Sequence, residues 1–342
     1  MQIHNWKSRF ARVSAVIAMS GLLIACTKPA VETASSTPEG LESLEFKYLG
    51  SAGIVTPLEL AEDLGYLAPV KLSYQGVSTG GPQGIQSALS GDSDISSPSF
   101  AGSAVKMVAS GVPGTVVIAA YGTHDDPYAG YYVLNNSPIQ SARDLIGKKV
   151  GTNILGAQVE YMLKTYLKKG GLTQDEINQV TLVVLPPGAS EQALRSGHVD
   201  LAPLAGPAVD RGGVRRLYRD FSLVGDLTSG TYVMSNRYIE AHPNTTRKVV
   251  TGIAKAIEWS RQQKREDVIA RFEQILAKRK RPENNAMLKY WTQWGIPSEG
   301  GKFQDQDFKI WEDNLIAEGQ LKPKQVDYKK LYSNQYNEYQ SN

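Results

Sequence analysis

A short self-match restricts the fold of this chain more than any other feature. Ser90-Gly91-Asp92-Ser93-Asp94-Ile95-Ser96 echoes Ser196-Gly197-His198-Val199-Asp200-Leu201-Ala202, and the two glycines stand 106 residues apart. That offset is the size of one α/β lobe. In each copy a helical stretch precedes the Ser-Gly, Gln83 to Leu89 in the first and Ser190 to Arg195 in the second. An Asp then leads into a short strand that ends near Pro98 or Pro203. The first copy closes a series with strands predicted near Glu45 to Leu49, Val70 to Tyr74 and Asp94 to Ser96, and with helices at Pro57 to Leu64 and after Gly81. The second closes a series with strands near Lys149 to Thr152, Thr181 to Leu185 and Asp200 to Ala202, and with helices at Ala157 to Lys168 and Ser190 to Ser196. Strand and helix alternating in this way predict parallel sheets. The fold class expected is α/β, with two similar lobes, each a mostly parallel sheet flanked by helices.

The helix from Ala157 shows the pattern. Val159, Met162, Leu163, Tyr166 and Leu167 recur at steps of three and four, which builds one apolar face. Lys164, Lys168 and Lys169 mark the other face and the last turn, where positive charge suits the helix dipole, and Gly170-Gly171 stops the helix. After the second series, Thr245 to Lys280 reads as helix on the stripes of Val249, Val250, Ile253, Ile257, Val268, Phe272 and Ile275. Trp291, Trp294, Phe303, Phe308 and Trp311 follow in a section expected to be helical. A second lobe inserted into the first accounts for all three regions. Lobe 1 then takes 46–121 and 231–342, lobe 2 takes 122–230, and Val116 to Tyr121 and Thr231 to Ser235 are the crossover strands of the hinge.

The N-terminus is read separately from the lobes. Lys7, Arg9 and Arg12 precede the apolar run Val13 to Ala25, in the order and proportion of a signal peptide over 1–25. The run is shorter than the roughly 20 residues a membrane span needs. It ends in Leu23-Ile24-Ala25-Cys26, which resembles the lipobox of bacterial lipoproteins. The resemblance implies cleavage before Cys26 and a diacylglyceryl thioether on its sulfur. Two or more acyl chains give a durable anchor where one holds only marginally. Cys26 is the single cysteine of the chain, so a disulfide within it is excluded by count. Residues 26–45, rich in Pro, Ser, Thr, Ala and Glu, are expected to form a solvated tether.

The formal charge of +3 includes the basic residues of the leader, so the mature protein is close to neutral and offers no case for nucleic acid. With four His and one Cys there is little material for a metal site, and no cofactor is expected. Globular sequence of about 300 residues is too long for one ordinary core and suits two.

Four segments carry a family resemblance: Leu60-Ala61-Glu62-Asp63-Leu64-Gly65-Tyr66-Leu67, Ala88-Leu89-Ser90-Gly91-Asp92-Ser93-Asp94, Ser141-Ala142-Arg143-Asp144-Leu145-Ile146-Gly147-Lys148-Lys149-Val150 and Gln192-Ala193-Leu194-Arg195-Ser196-Gly197-His198-Val199-Asp200. With these segments the chain, from about Phe46 to Tyr336, resembles the solute-binding proteins of ABC importers that serve sulfonates, taurine, nitrate and thiamine precursors. The resemblance implies the two-lobe periplasmic-binding-protein fold, closing on its ligand like a hinged trap. It further implies delivery to an ABC permease and its ATPase, a location in the periplasm or at the cell surface held by lipidated Cys26, and a monomer with no catalytic residues. The same fold hosts a pyrimidine synthase that uses a cysteine-rich motif, and a chain with Cys26 alone lacks that motif.

In open α/β lobes ligands sit outside the carboxyl ends of the strands, which makes the loops after each strand the candidate site. Ser51 and Ala52 follow the first strand, Ser78, Thr79 and Gly80 the second, and Ser97 the third. Lobe 2 offers Asn153, Leu155, Gly156 and Ala157 at a helix start, and Gly206. These loops are neutral, hydroxyl-bearing and glycine-rich, as suits an anion held by helix N-termini and backbone donors. In the hinge stretch, His124 if protonated would meet an anion, whereas Asp125 or Asp126 would pair with an amine and favour a zwitterion such as taurine. Tyr121, Tyr131, Thr231 and Tyr232 are placed along the cleft. A sulfonate or taurine is the first expectation for the ligand, with nitrate, an aromatic acid or a pyrimidine as alternatives.

A rival comes from another class. Gly76-Val77-Ser78-Thr79-Gly80 matches the G-x-S-x-G nucleophile elbow, with Asp200 and His242 available to complete a hydrolase triad. That reading leaves the duplication unexplained. The basic run Lys278-Arg279-Lys280-Arg281 is expected to be a solvated helix end.

Overall fold

A computed structural model describes residues 40–340 apart from 79, 187 and 282. The leader, Cys26 and Thr79 therefore lie outside the described residues. Among the described residues no helix is long and apolar enough to cross a membrane.

Among the described residues ten strands form: β1 (Glu45–Gly50), β2 (Lys71–Val77), β3 (Ser99–Phe100), β4 (Gly114–Thr123), β5 (Ala129–Leu134), β6 (Lys149–Thr152), β7 (Thr181–Val184), β8 (Ala202–Ala205), β9 (Val214–Tyr218) and β10 (Leu227–Ser235). In lobe 1, β1 and β2 pair in parallel, while β10 lies between β3 and β4 and runs antiparallel to both. Lobe 2 repeats the plan. There β6 and β7 pair in parallel, and β5 lies antiparallel between β8 and β9. The opposed strand in each lobe is the one that arrives from the other: β5 follows β4 into lobe 2, and β10 returns. β4 and β10 themselves pair from Leu227↔Thr123 to Ser235↔Gly114, so the two expected crossover strands form one ribbon.

The repeated motif serves the same purpose in both lobes. The Asp94 carboxylate accepts from the Lys47 N–H at 2.6 Å, and the Asp94 N–H donates to the Lys47 carbonyl at 2.9 Å. Asp200 does the same with Lys149, at 2.8 Å each way. Gly91 and Gly197, at φ 89° and 73°, take the left-handed turn that ends the preceding helix, which a Cβ would strain. Each Asp thus ties the third segment of its lobe to the first strand. The segment 94–96 is not a regular strand, because its side chains compete for backbone groups: the Ser96 hydroxyl accepts from the Val233 N–H at 2.9 Å.

Three sequence expectations are corrected. The tether ends before Glu45, since Leu41 is buried and the Glu42 carboxylate accepts from the Thr245 N–H at 2.9 Å at the start of helix Pro243–Gln262. The long helix is two, Pro243–Gln262 and Arg265–Arg279, because Gln263 and Lys264 turn extended with ψ 157° and 143°. Trp291, Trp294 and Phe303 lie outside α-helix, in a stretch where Gly295, Gly300 and Gly301 have positive φ. Phe308 and Trp311 do fall in a helix, Gln306–Ala317.

The basic run is only half a solvated end: Lys278 and Lys280 are exposed as expected, whereas the two arginines turn inward. Arg279 is only 6% exposed and meets Glu59 at 2.7 Å and Glu283 at 3.0 Å. Arg281 lies 3.3 Å from the centre of the Tyr74 ring and donates to the Tyr48 hydroxyl at 3.0 Å. This network backs the loop after β1, where the Gly53 N–H donates to Glu283 at 3.2 Å.

The lobes meet along one side through helix Gln158–Lys169, whose Tyr161 packs edge-on against Trp311 at 4.6 Å between ring centres. Lys164 and Lys168 reach Glu318 at 3.1 and 3.6 Å. Lobe 2 also has a small core of its own around Tyr132, Leu185, Leu194, Val199 and Leu204.

Candidate functional site in the cleft

Two cavities open at the carboxyl ends of the lobe 2 strands. The larger, 310 Å³, runs from the end of the first crossover strand at Gly122, Thr123 and His124 to Tyr131 on β5, Gln158 after β6, Ala205 at the end of β8 and Arg219-Asp220 after β9. The smaller, 170 Å³, lies between the lobes, with Gly53 and Val55 on one wall, Tyr128 and Gly206 on the other, and Met287, Tyr290 and Trp291 across the end. Asp126 and Ala205 border both.

In the larger cavity, Asp220 is the most constrained group. Gln158 donates to its Oδ2 at 2.6 Å, and the nearby Tyr131 hydroxyl favours the charged carboxylate. Burial pushes the Asp220 pKa up, against the pull of those two donors. Burial, reinforced by the Asp220 charge, likewise holds the Tyr131 hydroxyl well above the ordinary phenol range. Tyr131 stacks on Tyr218 at 4.3 Å, and Tyr218 on Tyr166 at 4.1 Å, so the ring that faces the carboxyl is fixed by packing. Arg219 is taken up by an ion pair with Asp125. His124 Nε2 bonds the Thr292 hydroxyl at 2.8 Å, on the segment that closes the smaller cavity.

The residues chosen from sequence divide into groups. His124 lines the larger cavity, and Asp125 touches it through Arg219. Gly206 lines the smaller one with φ 53°, and a Cβ there would come within 2.8 Å of the Tyr290 ring, so glycine is required for that wall. Gly156 and Ala157 border a narrow crevice beside Phe100. Ser78, Gly80 and Ser97 form a cluster of their own: the Ser78 and Ser97 hydroxyls are 2.8 Å apart, and Gly80 N–H donates to Ser78 at 3.0 Å. Ser51 and Ala52 sit on the loop beside the smaller cavity without lining it. Asn153 and Leu155 point to solvent, Leu155 with 52% exposure.

Three placements are corrected. Tyr121 packs over Gly230 at the ribbon instead of on a cavity wall. Thr231 is buried at the Ser99 carbonyl. Tyr232 is wholly inside lobe 1, near Thr56 and Glu59. The hydrolase reading fails on geometry as well. Ser78 faces a serine hydroxyl, Asp200 is committed to the Lys149 N–H, and His242 stacks on Tyr238 in a separate cavity beside Asp94.

Gln158, Arg219 and Asp220 were missed. The strand-end rule that selected Ser51 and Ser78 selects Arg219 and Asp220 too, once Val214–Tyr218 is recognised as a strand. Its Arg215-Arg216 pair masked the alternation.

No curated protein matches the chain in sequence. In three dimensions it is similar to the alkanesulfonate-binding protein SsuA from Xanthomonas axonopodis pv. citri, solved bound to MOPS. The TM-score is 0.65 at 20% identity, over 85% of this chain and 98% of that one. It is also similar to the periplasmic nitrate-binding protein NrtA from Synechocystis PCC 6803, with a TM-score of 0.63 at 15% identity over 86% and 88%. The desulfurization enzyme DSZB shares the architecture, with a TM-score of 0.55 at 16% identity over 86% and 97%. The fold is therefore the two-lobe periplasmic-binding-protein fold. A family match covers residues 54–266, more than half of the chain, and takes in every residue that lines the larger cavity; the chain belongs to the NMT1/THI5-like family.

Proposed function

We propose that this chain is the substrate-binding component of an ABC importer. It captures a small anionic or zwitterionic organic solute, a sulfonate or taurine first, in the cleft between lobe 1 (46–121 and 231–342) and lobe 2 (122–230), and passes it to a membrane permease and its ATPase. One observation carries the reading: two sheets of the same plan, joined by the β4–β10 ribbon, with the cavities at the carboxyl ends of the lobe 2 strands. That is where such folds bind ligands. The serine with a nucleophile-like motif has its hydroxyl paired with that of Ser97 at 2.8 Å, which supports a polar wall more than a nucleophile. Its similarity to a sulfonate-binding and a nitrate-binding protein supports the same class of solute. Lipidation at Cys26, a monomeric state and a periplasmic or cell-surface location belong to the same proposal, and labelling with a radioactive fatty acid tests the anchor, which Cys26→Ser should abolish.

A thermal-shift screen of residues 27–342 against alkanesulfonates, taurine, nitrate, aromatic acids and pyrimidines tests the function. A ligand at a hundredfold excess over its Kd stabilises the folded state by about 2.7 kcal/mol, enough to raise Tm by several degrees. If no such compound moves Tm while an ester is hydrolysed, the proposal is wrong.

A further inference from the structure

Residues 291–297 belong to no helix or strand and lie beyond the 54–266 stretch of the family match. Two arginines rivet this segment to lobe 1 through its carbonyls. Arg265 donates to those of Lys289 and Trp291, the latter at 2.7 Å, and Arg261 donates to those of Ile296 and Ser298, the latter at 2.9 Å. The same segment reaches lobe 2 at every second residue. The Gly122 N–H donates to the Trp294 carbonyl at 2.7 Å, His124 Nε2 bonds the Thr292 hydroxyl at 2.8 Å, and the Tyr290 hydroxyl donates to Asp210 at the end of helix Pro207–Asp210.

The two ends of this run differ. Beside the β4–β10 ribbon the approach is close enough to require glycine on both chains: a Cβ on Gly122 would run into the Gly295 carbonyl, and one on Gly295 into the His124 ring. At the far end only side chains meet. Tyr128 stands edge-on to the Tyr290 ring at 5.2 Å, and Lys289 lies 3.7 Å from Asp210 with both side chains more than half exposed, so that ion pair contributes little. The hydroxyl donated to a carboxylate is the stronger bond. It closes one end of the smaller cavity, which Tyr290, Trp291, Thr292 and Gln293 line. Rotation of one lobe about the ribbon displaces the far end more than the near one.

We propose that residues 289–298 form a strap between the lobes that pivots at Gly122 and Gly295, and that the Tyr290–Asp210 bond is the catch that yields when the smaller cavity opens. The inference rests on the two-lobe trap of the reading above and goes beyond it, because the catch holds the lobes whichever solute is bound.

Thiol labelling without any solute tests it on the protein spanning 27–342, which keeps both lobes and contains no cysteine. Val55→Cys puts a thiol of nearly the same size on the wall of the smaller cavity, at a position only 1% exposed. Val105→Cys, in the lobe 1 core, reports global unfolding instead. Tyr290→Phe and Asp210→Ala should each speed maleimide labelling of Val55→Cys by at least about tenfold, the low end of what a hydrogen bond to a charged group supplies, and leave the Val105→Cys rate unchanged. The double variant should label no faster than the quicker single one, since both changes break one bond. An unchanged rate at Val55→Cys, equal acceleration at both thiols, or multiplied effects in the double variant overturns the strap and leaves the solute-binding reading to its own screen. Circular dichroism checks each fold, and if Val55→Cys does not fold, Ala205→Cys, which borders both cavities, replaces it under the same outcomes.

Discussion

Lobe 1 and lobe 2 share a strand plan and an aspartate brace, yet they treat charge in opposite ways. In lobe 1 the carboxylate on the helix after β1, Glu59, is buried and ringed by Arg279, Arg281 and Tyr48. Burial pushes its pKa up, against the Arg279 charge. In lobe 2 the carboxylate on the helix after β7, Glu191, sits at the surface between Arg195 and Arg211. The cause is the C-terminal third of the chain. Helix Arg265–Arg279 packs against helix Pro57–Asp63 and takes the Glu59 ion pairs out of water, whereas the arginines around Glu191 are 34% and 57% exposed. A buried pair is weak evidence of net stability, but breaking one is severe, and surface pairs contribute little. Lobe 1 should therefore respond sharply to loss of a charge, and lobe 2 mildly.

Glu59→Ala gives the largest expected effect. It removes the nearer of the two carboxylates that hold Arg279 at 6% exposure, leaving Glu283, and should lower unfolding stability by about 3 kcal/mol, the low end for a broken buried pair, read as a fall in the urea midpoint at unchanged slope. A loss below about 1 kcal/mol would show that water reaches the network and that the contrast between the lobes is only apparent.

The aspartate brace offers a closer comparison, since geometry is matched and burial is not. Asp94 is 7% exposed and Asp200 is only partly buried. Each carboxylate accepts one first-strand N–H, and hydrogen bonds to charged groups contribute about 1.5 to 3 kcal/mol, least where water can substitute. Asp94→Ala should cost about 2 kcal/mol and Asp200→Ala about 1 kcal/mol. Equal losses in paired denaturation curves would mean that the brace acts through backbone geometry alone.

What the sequence disclosed follows the same division. The self-match located both braces because their bonds are local: a Gly to turn the chain and an Asp to reach the neighbouring strand leave a fixed spacing. The helix from Ala157 was visible for the same reason, with a periodic face and a glycine stop. The charges were misread where the partner lies far along the chain. Arg279 is 220 residues from Glu59, and no local pattern distinguishes a buried arginine from a solvated one. The site was half visible on similar grounds. His124 and Gly206 stand at strand ends that periodicity reveals. Asp220 follows a strand whose adjacent arginines break the pattern, and it is defined by Gln158, 62 positions away. Tyr232 was misplaced because an aromatic residue near a hinge has the same local signature in a core as on a cleft wall.

The smallest effect sharpens the comparison by pH. Arg211, followed by Arg195, holds the Glu191 pKa down at about 2 from its usual 4.5. A carboxylate whose folded-state pKa is depressed stabilises the protein above the unfolded value and loses that contribution as pH falls toward the folded one. The window is therefore from 4.5 down to about 2. The contribution should be under about 1 kcal/mol, because the pair is near the surface and salt-screened. Glu191→Gln should melt slightly below wild type at neutral pH, and the gap should narrow as the pH is lowered through that window and shrink further in high salt. A gap that persists undiminished near pH 2 would mean that Glu191 acts by packing its helix rather than by charge. Lobe 2 would then resemble lobe 1 more closely than the exposure of its arginines suggests.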